Sequence, residues 1–114
     1  MRNLIKVFKA LSDSNRLRIL KMLEERHLCV CEITEVLKLA SSTVSKHLSI
    51  LRNAELILDE KDGKWVNYFL NQEQMDDYAQ QLLPLIKSWV PNDNIIKQDK
   101  EKVKTVDRNK LCGN

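Results

Sequence analysis

Cys29 and Cys31 stand one residue apart in the stretch His27-Leu28-Cys29-Val30-Cys31-Glu32-Ile33, and they are two of only three cysteines in a chain of 114 residues. Thiolates are soft donors, and they select arsenite, antimonite, cadmium, lead, Cu(I) or zinc over hard ions. A free thiol titrates at about 8.5, and lower at a helix N-terminus or beside cations. Arg26 and His27 are close in sequence, so ready metallation is expected of the pair. The plainer reading is that cysteine serves as a small buried hydrophobe. An odd cysteine count argues against a disulfide framework and for reduced thiols with a chemical use. A third sulfur for a pyramidal trivalent ion can come only from Cys112, which sits in a basic tail.

The elements that position this pair are mostly helical, because glycine occurs only at Gly63 and Gly113 and proline only at Pro84 and Pro91. Leu4, Val7, Phe8 and Leu11 recur at helical spacing and predict a short first helix. Ser12-Asp13-Ser14-Asn15 offers N-caps for a second helix, which carries Leu17, Leu20 and Leu23 and ends near Arg26-His27. A third helix is predicted from about Val30 to Leu37. A turn at Lys38-Leu39-Ala40 leads to a fourth, capped by Ser41 or Ser42 and running to about Asn53, with Val44, Leu48 and Leu51 inward. Two short helices joined by a tight turn form a helix-turn-helix, the second being the candidate recognition helix.

The period then changes. Leu56-Ile57-Leu58 and Trp65-Val66-Asn67-Tyr68-Phe69-Leu70 are rich in strand formers, and the Asp62-Gly63 pair between them favours a tight hairpin turn. A last helix is predicted from about Glu73 to Val90. Its apolar stripe is Met75, Tyr78, Ala79, Leu82, Leu85, Ile86 and Trp89, and Pro84 should kink it. The stripe is long for a terminal helix, so part of it is read as a dimer face shared with the first helix. The expected architecture is mainly α with a β-hairpin, a dimeric winged helix-turn-helix in the order α-α-α-α-β-β-α. Residues 1–91 form the DNA-binding and dimerisation domain, and residues 92–114 form a basic tail, partly disordered or a short extra helix.

Charge is uneven behind a net +3. Residues 1–54 hold ten Lys/Arg and five Asp/Glu, residues 55–94 three and eight, and residues 95–114 six and three. A basic N-terminal half suits contact with a polyanion. No run of 18 apolar residues is present and the N-terminus lacks the apolar stretch of a signal peptide, so a cytoplasmic protein with no membrane partner is expected.

These segments resemble the ArsR/SmtB family of metal(loid)-sensing winged-helix repressors. Ala10-Leu11-Ser12-Asp13-Ser14-Asn15-Arg16-Leu17-Arg18-Ile19-Leu20 resembles the family's opening helix pair. Ser41-Ser42-Thr43-Val44-Ser45-Lys46-His47-Leu48, followed by Leu51-Arg52-Asn53-Ala54, resembles its recognition helix. Lys64-Trp65-Val66-Asn67-Tyr68-Phe69-Leu70 resembles the returning strand of its wing, and Leu28-Cys29-Val30-Cys31-Glu32 is very similar to the motif of the arsenic-sensing branch. Two positions depart from the pattern. Glu55 stands where members usually carry a helix-ending glycine, and Thr34 stands where a further cysteine often follows the pair.

The resemblance implies a DNA-binding repressor that releases its operator when arsenite or antimonite binds Cys29 and Cys31, with Cys112 as the remaining candidate for a third ligand; with no oxyanion motif or phosphate-binding glycine loop, an enzyme is not expected. A recognition helix presents its N-terminal part to base edges, here Ser42, Thr43, Ser45, Lys46 and His47. Ser41 and the helix N-terminus can hold a phosphate. Arg52 is a candidate phosphate contact, and Lys61 and Lys64 lie at the wing tip. His47 has a competing reading as a buried, hydrogen-bonded packing residue. A homodimer built on the first and last helices predicts an imperfect palindrome with half-sites roughly 34 Å apart.

The family's other site uses carboxylates and histidines on the last helix to bind zinc. Here that helix offers Asp76 and Asp77, but no histidine follows His47. Redox sensing through the same cysteines, or a soft divalent ion such as cadmium or lead, are the alternatives. Residues two apart on an ideal helix point about 200° away from each other. A shared ion therefore requires either a distorted first turn or a Cys29 that precedes the helix.

Overall fold

The computed structural model describes residues 1–72 and 78–111. Four helices come first: α1 (Arg2–Leu11), α2 (Ser14–Leu23), α3 (Val30–Leu37) and α4 (Ser41–Asn53). The antiparallel hairpin β1 (Ile57–Asp62) and β2 (Trp65–Leu70) follows, and then α5 (Tyr78–Ser88), α6 (Asn94–Val103) and α7 (Arg108–Leu111). The winged helix-turn-helix expected from the sequence is the observed fold, extended by two C-terminal helices. The part of the last helix predicted over Glu73–Asp77, including Met75, Asp76 and Asp77, lies outside the described residues.

Local chemistry sets the boundaries. Asp13 caps α2 by accepting from the N–H groups of Asn15 (2.8 Å) and Arg16 (3.1 Å), so of the four candidate caps the carboxylate is used. Helix α2 stops at Leu23, short of the expected Arg26-His27. The chain must become extended by Leu28, which exchanges two backbone hydrogen bonds with Tyr68 of β2 (2.8 and 3.1 Å). Helix α4 begins at Ser41 with Ala40 as N-cap and no side-chain cap, so neither expected serine performs that role. Its first N–H groups are left for another acceptor. In the hairpin Asp62 pairs with Trp65. Gly63 therefore occupies the first of two turn positions, and its φ of 60° is what a type II′ turn requires there.

The core lies between these elements. Ile19, Leu20 and Met22 of α2 meet Ile33 and Val36 of α3, Val44, Leu48 and Leu51 of α4, and Leu56 and Ile57 leading into the hairpin. The inward face expected for α4 is fully buried. Ala79, Leu83 and Ile86 of α5 and Val103 of α6 complete the cluster. Lys21, itself buried, donates to the carbonyls of Ile86 (3.0 Å), Lys87 (3.2 Å) and Trp89 (3.1 Å) at the end of α5. Of these carbonyls that of Ile86 also accepts the Trp89 N–H at 3.0 Å, and a cation at this end complements the helix dipole. Helix α5 continues on both sides of Pro84. Among the described residues no helix is long and apolar enough to cross a membrane.

Candidate functional site

Cys29 is the N-cap of α3 with extended backbone (φ −94°, ψ 171°), and Cys31 is the helix's second residue. The second geometric option is thus the observed one: Cys29 precedes the helix, so its sulfur does not follow helical rotation away from Cys31. Glu32 fixes the start of the helix. One carboxylate oxygen accepts the Cys29 N–H at 3.0 Å, while the Cys29 sulfur faces the Glu32 N–H in the reciprocal half of a capping box. The other carboxylate oxygen takes Arg26 at 3.1 Å.

The two cysteines differ chemically. Cys29 is a free thiol and 2% exposed. Burial pushes its pKa up, and the neighbouring Glu32 carboxylate also raises it. The expected activation by nearby cations is not realised at Cys29. The Arg26 guanidinium instead serves the Glu32 carboxylate and the carbonyls of Val103 and Val106, and the His27 ring stacks on Phe69 at 4.7 Å. Cys31 is disulfide-bonded, which corrects the expectation of uniformly reduced thiols. Cys112, the third candidate ligand, lies outside the described residues. Helix α7 packs against α3 and brings the chain as far as Leu111 to the element that carries Cys31.

Among the described residues no cluster of three or more His, Cys, Asp or Glu side chains could hold a metal ion. The free donor described there is the Cys29 thiol, a soft ligand. One turn after Cys31 stands Thr34. Its Oγ1 is, among the described residues, a buried polar atom with no hydrogen-bond partner, an orphan beside the thiol pair.

The recognition-helix residues divide by environment. Ser41, Ser42, Thr43, Ser45 and Lys46 are exposed, and so is Ser49, one turn beyond Ser45. Ser49 was missed in the sequence although its spacing from Ser42 and Ser45 puts it on their face. His47 is half-buried, and its Nδ1 accepts from Arg16 at 3.1 Å. Arg16 also donates to the carbonyls of Ala10 and Lys9. This ring therefore ties the α1–α2 junction to α4. Arg52 pairs with Asp59 at 3.2 Å. Lys61 lies within β1 opposite Val66, and Lys64 is in the turn with its ammonium 4.7 Å from the Trp65 ring centre.

Arg108 was also missed in the sequence. It donates to Asp62 Oδ2 (2.7 Å) and Asn67 Oδ1 (2.8 Å) and lies over the Trp65 ring at 4.3 Å. Its charge and hydrogen bond hold the Asp62 carboxyl below the usual range.

Comparison with known proteins matches this arrangement. A family profile described as "Bacterial regulatory protein, arsR family" covers residues 13–58, from the cap of α2 into β1. The "Arsenical resistance operon repressor" of Escherichia coli (strain K12) is 36% identical over 108 residues, covering 92% of this chain and 82% of the relative. A "Cadmium resistance transcriptional regulatory protein CadC homolog" of Staphylococcus aureus is 41% identical over 71 residues, covering 61% of this chain and 59% of the relative. The solved structure of HlyU from Vibrio cholerae N16961 superposes with a TM-score of 0.62 at 29% identity, covering 75% of this chain and 88% of that one. With this helix-turn-helix, wing and similarity over nearly its whole length, the chain belongs to the arsR family of bacterial regulatory proteins.

Proposed function

We propose that this chain is a DNA-binding transcriptional repressor that releases its operator when trivalent arsenic or antimony binds Cys29, Cys31 and Cys112. The observation that carries this reading is the break in helical geometry between the two described cysteines. Cys29 has extended backbone ahead of α3 and Cys31 sits inside its first turn, so their sulfurs can turn toward one ion. Helix α7 packs on α3 and ends at Leu111, which supports Cys112, the next residue in sequence, as the third ligand of this reading. Cys31 enters the site as a thiol once a cellular dithiol has reduced its disulfide and become a disulfide in turn; As(OH)3 and three thiols then give three As–S bonds and three waters. The ion takes sulfur in place of oxygen, and each thiol proton leaves with a hydroxide.

DNA reading falls to the exposed face of α4. Ser42, Thr43, Ser45 and Lys46 meet base edges, Ser41 and the uncapped helix start hold a phosphate, and Arg52, Lys61 and Lys64 reach the flanking backbone. His47 contributes by fixing α4 against Arg16. The repressor is a homodimer. Ile5 and Phe8 on α1 are 44% and 53% exposed, and Leu85 on α5 and Trp89 just beyond it are 50% and 49% exposed. These large apolar side chains on the first and fifth helices form a surface that a second copy would cover. Coupling runs through α3, which packs directly on α4. An ion that draws the sulfurs together changes the first turn of α3 and so the pose of the recognition helix.

The disulfide at Cys31 favours a second reading, in which peroxide oxidises two thiols to a disulfide with loss of two waters. Measured release of operator DNA separates the possibilities. Arsenite releases the wild-type protein and leaves a Cys29→Ser/Cys31→Ser variant bound. Release by peroxide with no response to arsenite would establish the redox reading instead.

A further inference from the structure

We propose that Arg108 is a positioning residue for the wing: it neutralises Asp62 beside the hairpin turn so that the wing can approach phosphate, and a change in α3 at the thiol pair withdraws it. This rests on the reading of Cys29 and Cys31 as the inducer site.

The wing is an unusual DNA-facing element, because β1 carries Asp59, Glu60 and Asp62. A bare carboxylate within a Debye length of about 8 Å of the backbone repels it. Two of the three are met by cations from other elements: Asp59 by Arg52 of α4 at 3.2 Å, and Asp62 by Arg108 of α7 at 2.7 Å. Arg108 is also held geometrically. Its guanidinium bonds Asn67 at 2.8 Å and covers the Trp65 ring at 4.3 Å, so both strands on either side of the turn are gripped by one rigid fork. Asn67 itself donates to Asp62 at 3.3 Å.

The other end of this connection is the sensor helix. Arg108 is the first residue of a four-residue helix that packs on α3. The preceding segment is tied to the same helix by Arg26, which bonds the Val103 and Val106 carbonyls and the Glu32 carboxylate of the Cys29 cap. A shift of the first turn of α3 therefore reaches Arg108 through one short rigid piece. Leu28, paired with Tyr68, anchors the opposite edge of the hairpin to the residue beside Cys29. Withdrawal of Arg108 leaves Asp62 as an uncompensated charge at the wing, and DNA affinity falls.

The test uses the full chain and a duplex selected by the wild-type protein from a random library, with fluorescence anisotropy read with and without arsenite. Arsenite binding to DNA-free protein is followed separately by ultraviolet absorbance. Arg108→Ala should weaken DNA binding roughly 2- to 30-fold while arsenite affinity of the DNA-free protein stays at or above the wild-type value, and Arg108→Lys should recover part of the DNA-binding loss. Adding Asp62→Asn to Arg108→Ala should restore DNA affinity, and Asp62→Asn alone should keep affinity but blunt the release by arsenite. Wild-type DNA affinity and release in Arg108→Ala, or a loss that Asp62→Asn fails to restore, would overturn the role of Arg108. Absence of arsenite release in the wild-type protein would instead overturn the thiol-site reading and the withdrawal step with it.

Discussion

At the scale of single residues, Cys29 decides how the site responds to pH. Its raised pKa means that the folded chain holds the thiol proton more tightly than the unfolded chain, whose thiols ionise at about 8.5. Stability from this group is complete below that pH and is lost as pH rises above it, by at most about 1.4 kcal/mol per unit until the folded thiol itself ionises. Urea unfolding at pH 7.5 and 9.5 should show this loss, and Cys29→Ser should remove it. Ligand binding separates two ions by the same protons. Cadmium displaces each thiol proton into solution, so its affinity should rise about tenfold per pH unit for each thiol ionised. Arsenous acid carries the hydroxides that take up those protons, so its affinity should change little between pH 6 and 8. Thr34 supplies a further check. Its orphaned hydroxyl stands one turn after Cys31, so Thr34→Cys introduced beside Cys112→Ser should return arsenite affinity to near the wild-type value. No recovery in an isothermal titration would mean that this turn does not face the site.

At the scale of elements, α3, α4 and the hairpin were legible because local signals agree there. Val30, Ile33, Val36 and Leu37 give a clean helical period, Val44, Leu48 and Leu51 a second one, and Asp62-Gly63 fixes the turn. The end of α4 was legible as a conflict. Glu55 sits at φ 61°, and the Leu56 N–H to Leu51 carbonyl bond (3.1 Å) and the Glu55 N–H to Arg52 carbonyl bond (3.0 Å) close a Schellman motif around it. The fold keeps the turn that glycine usually makes and accepts the strain of a side chain there. Buried Asn71 secures it by donating to the Glu55 carbonyl at 2.8 Å. Glu55→Gly should therefore raise stability by about 1 kcal/mol, visible as a higher urea midpoint. An unchanged or lower midpoint would show that the Glu55 side chain compensates elsewhere. The asymmetry of the two cysteines was not legible. It depends on Leu28 joining β2 and on Arg26 being drawn to Glu32 and the α6 end, neither of which leaves a local trace.

At the scale of the whole molecule, the C-terminal third is where sequence and fold diverge most. Ile96 and Val103 are too widely spaced to signal a core helix, yet both are buried. What docks α6 is long-range charge. Arg18 grips buried Asp99 with two hydrogen bonds (2.7 and 2.9 Å), and Lys100 reaches Glu24 at 2.9 Å, which also takes Lys21 at 3.2 Å. Partners as far apart in sequence as Arg18 and Asp99 cannot be read from spacing. Asp99→Ala should cost about 3 kcal/mol by leaving the half-buried Arg18 without its carboxylate, and it should loosen α6 and α7 from α2 and α3. Amide exchange over residues 94–111 should rise in that variant, whereas protection equal to wild type would mean that apolar packing alone seats α6. The same docking carries the tail to α3 and the hairpin, so in the proposed function the cysteines are joined to DNA along two routes, α3 to α4 and α3 through α7 to the hairpin. The central claim is that the thiol pair controls DNA binding. Its most direct test is the operator affinity of the full chain measured with and without arsenite, for the wild-type protein and for Cys29→Ser/Cys31→Ser. Arsenite should lower wild-type affinity by at least about tenfold and leave the variant unchanged. Equal release from both proteins, or release from neither, would contradict it.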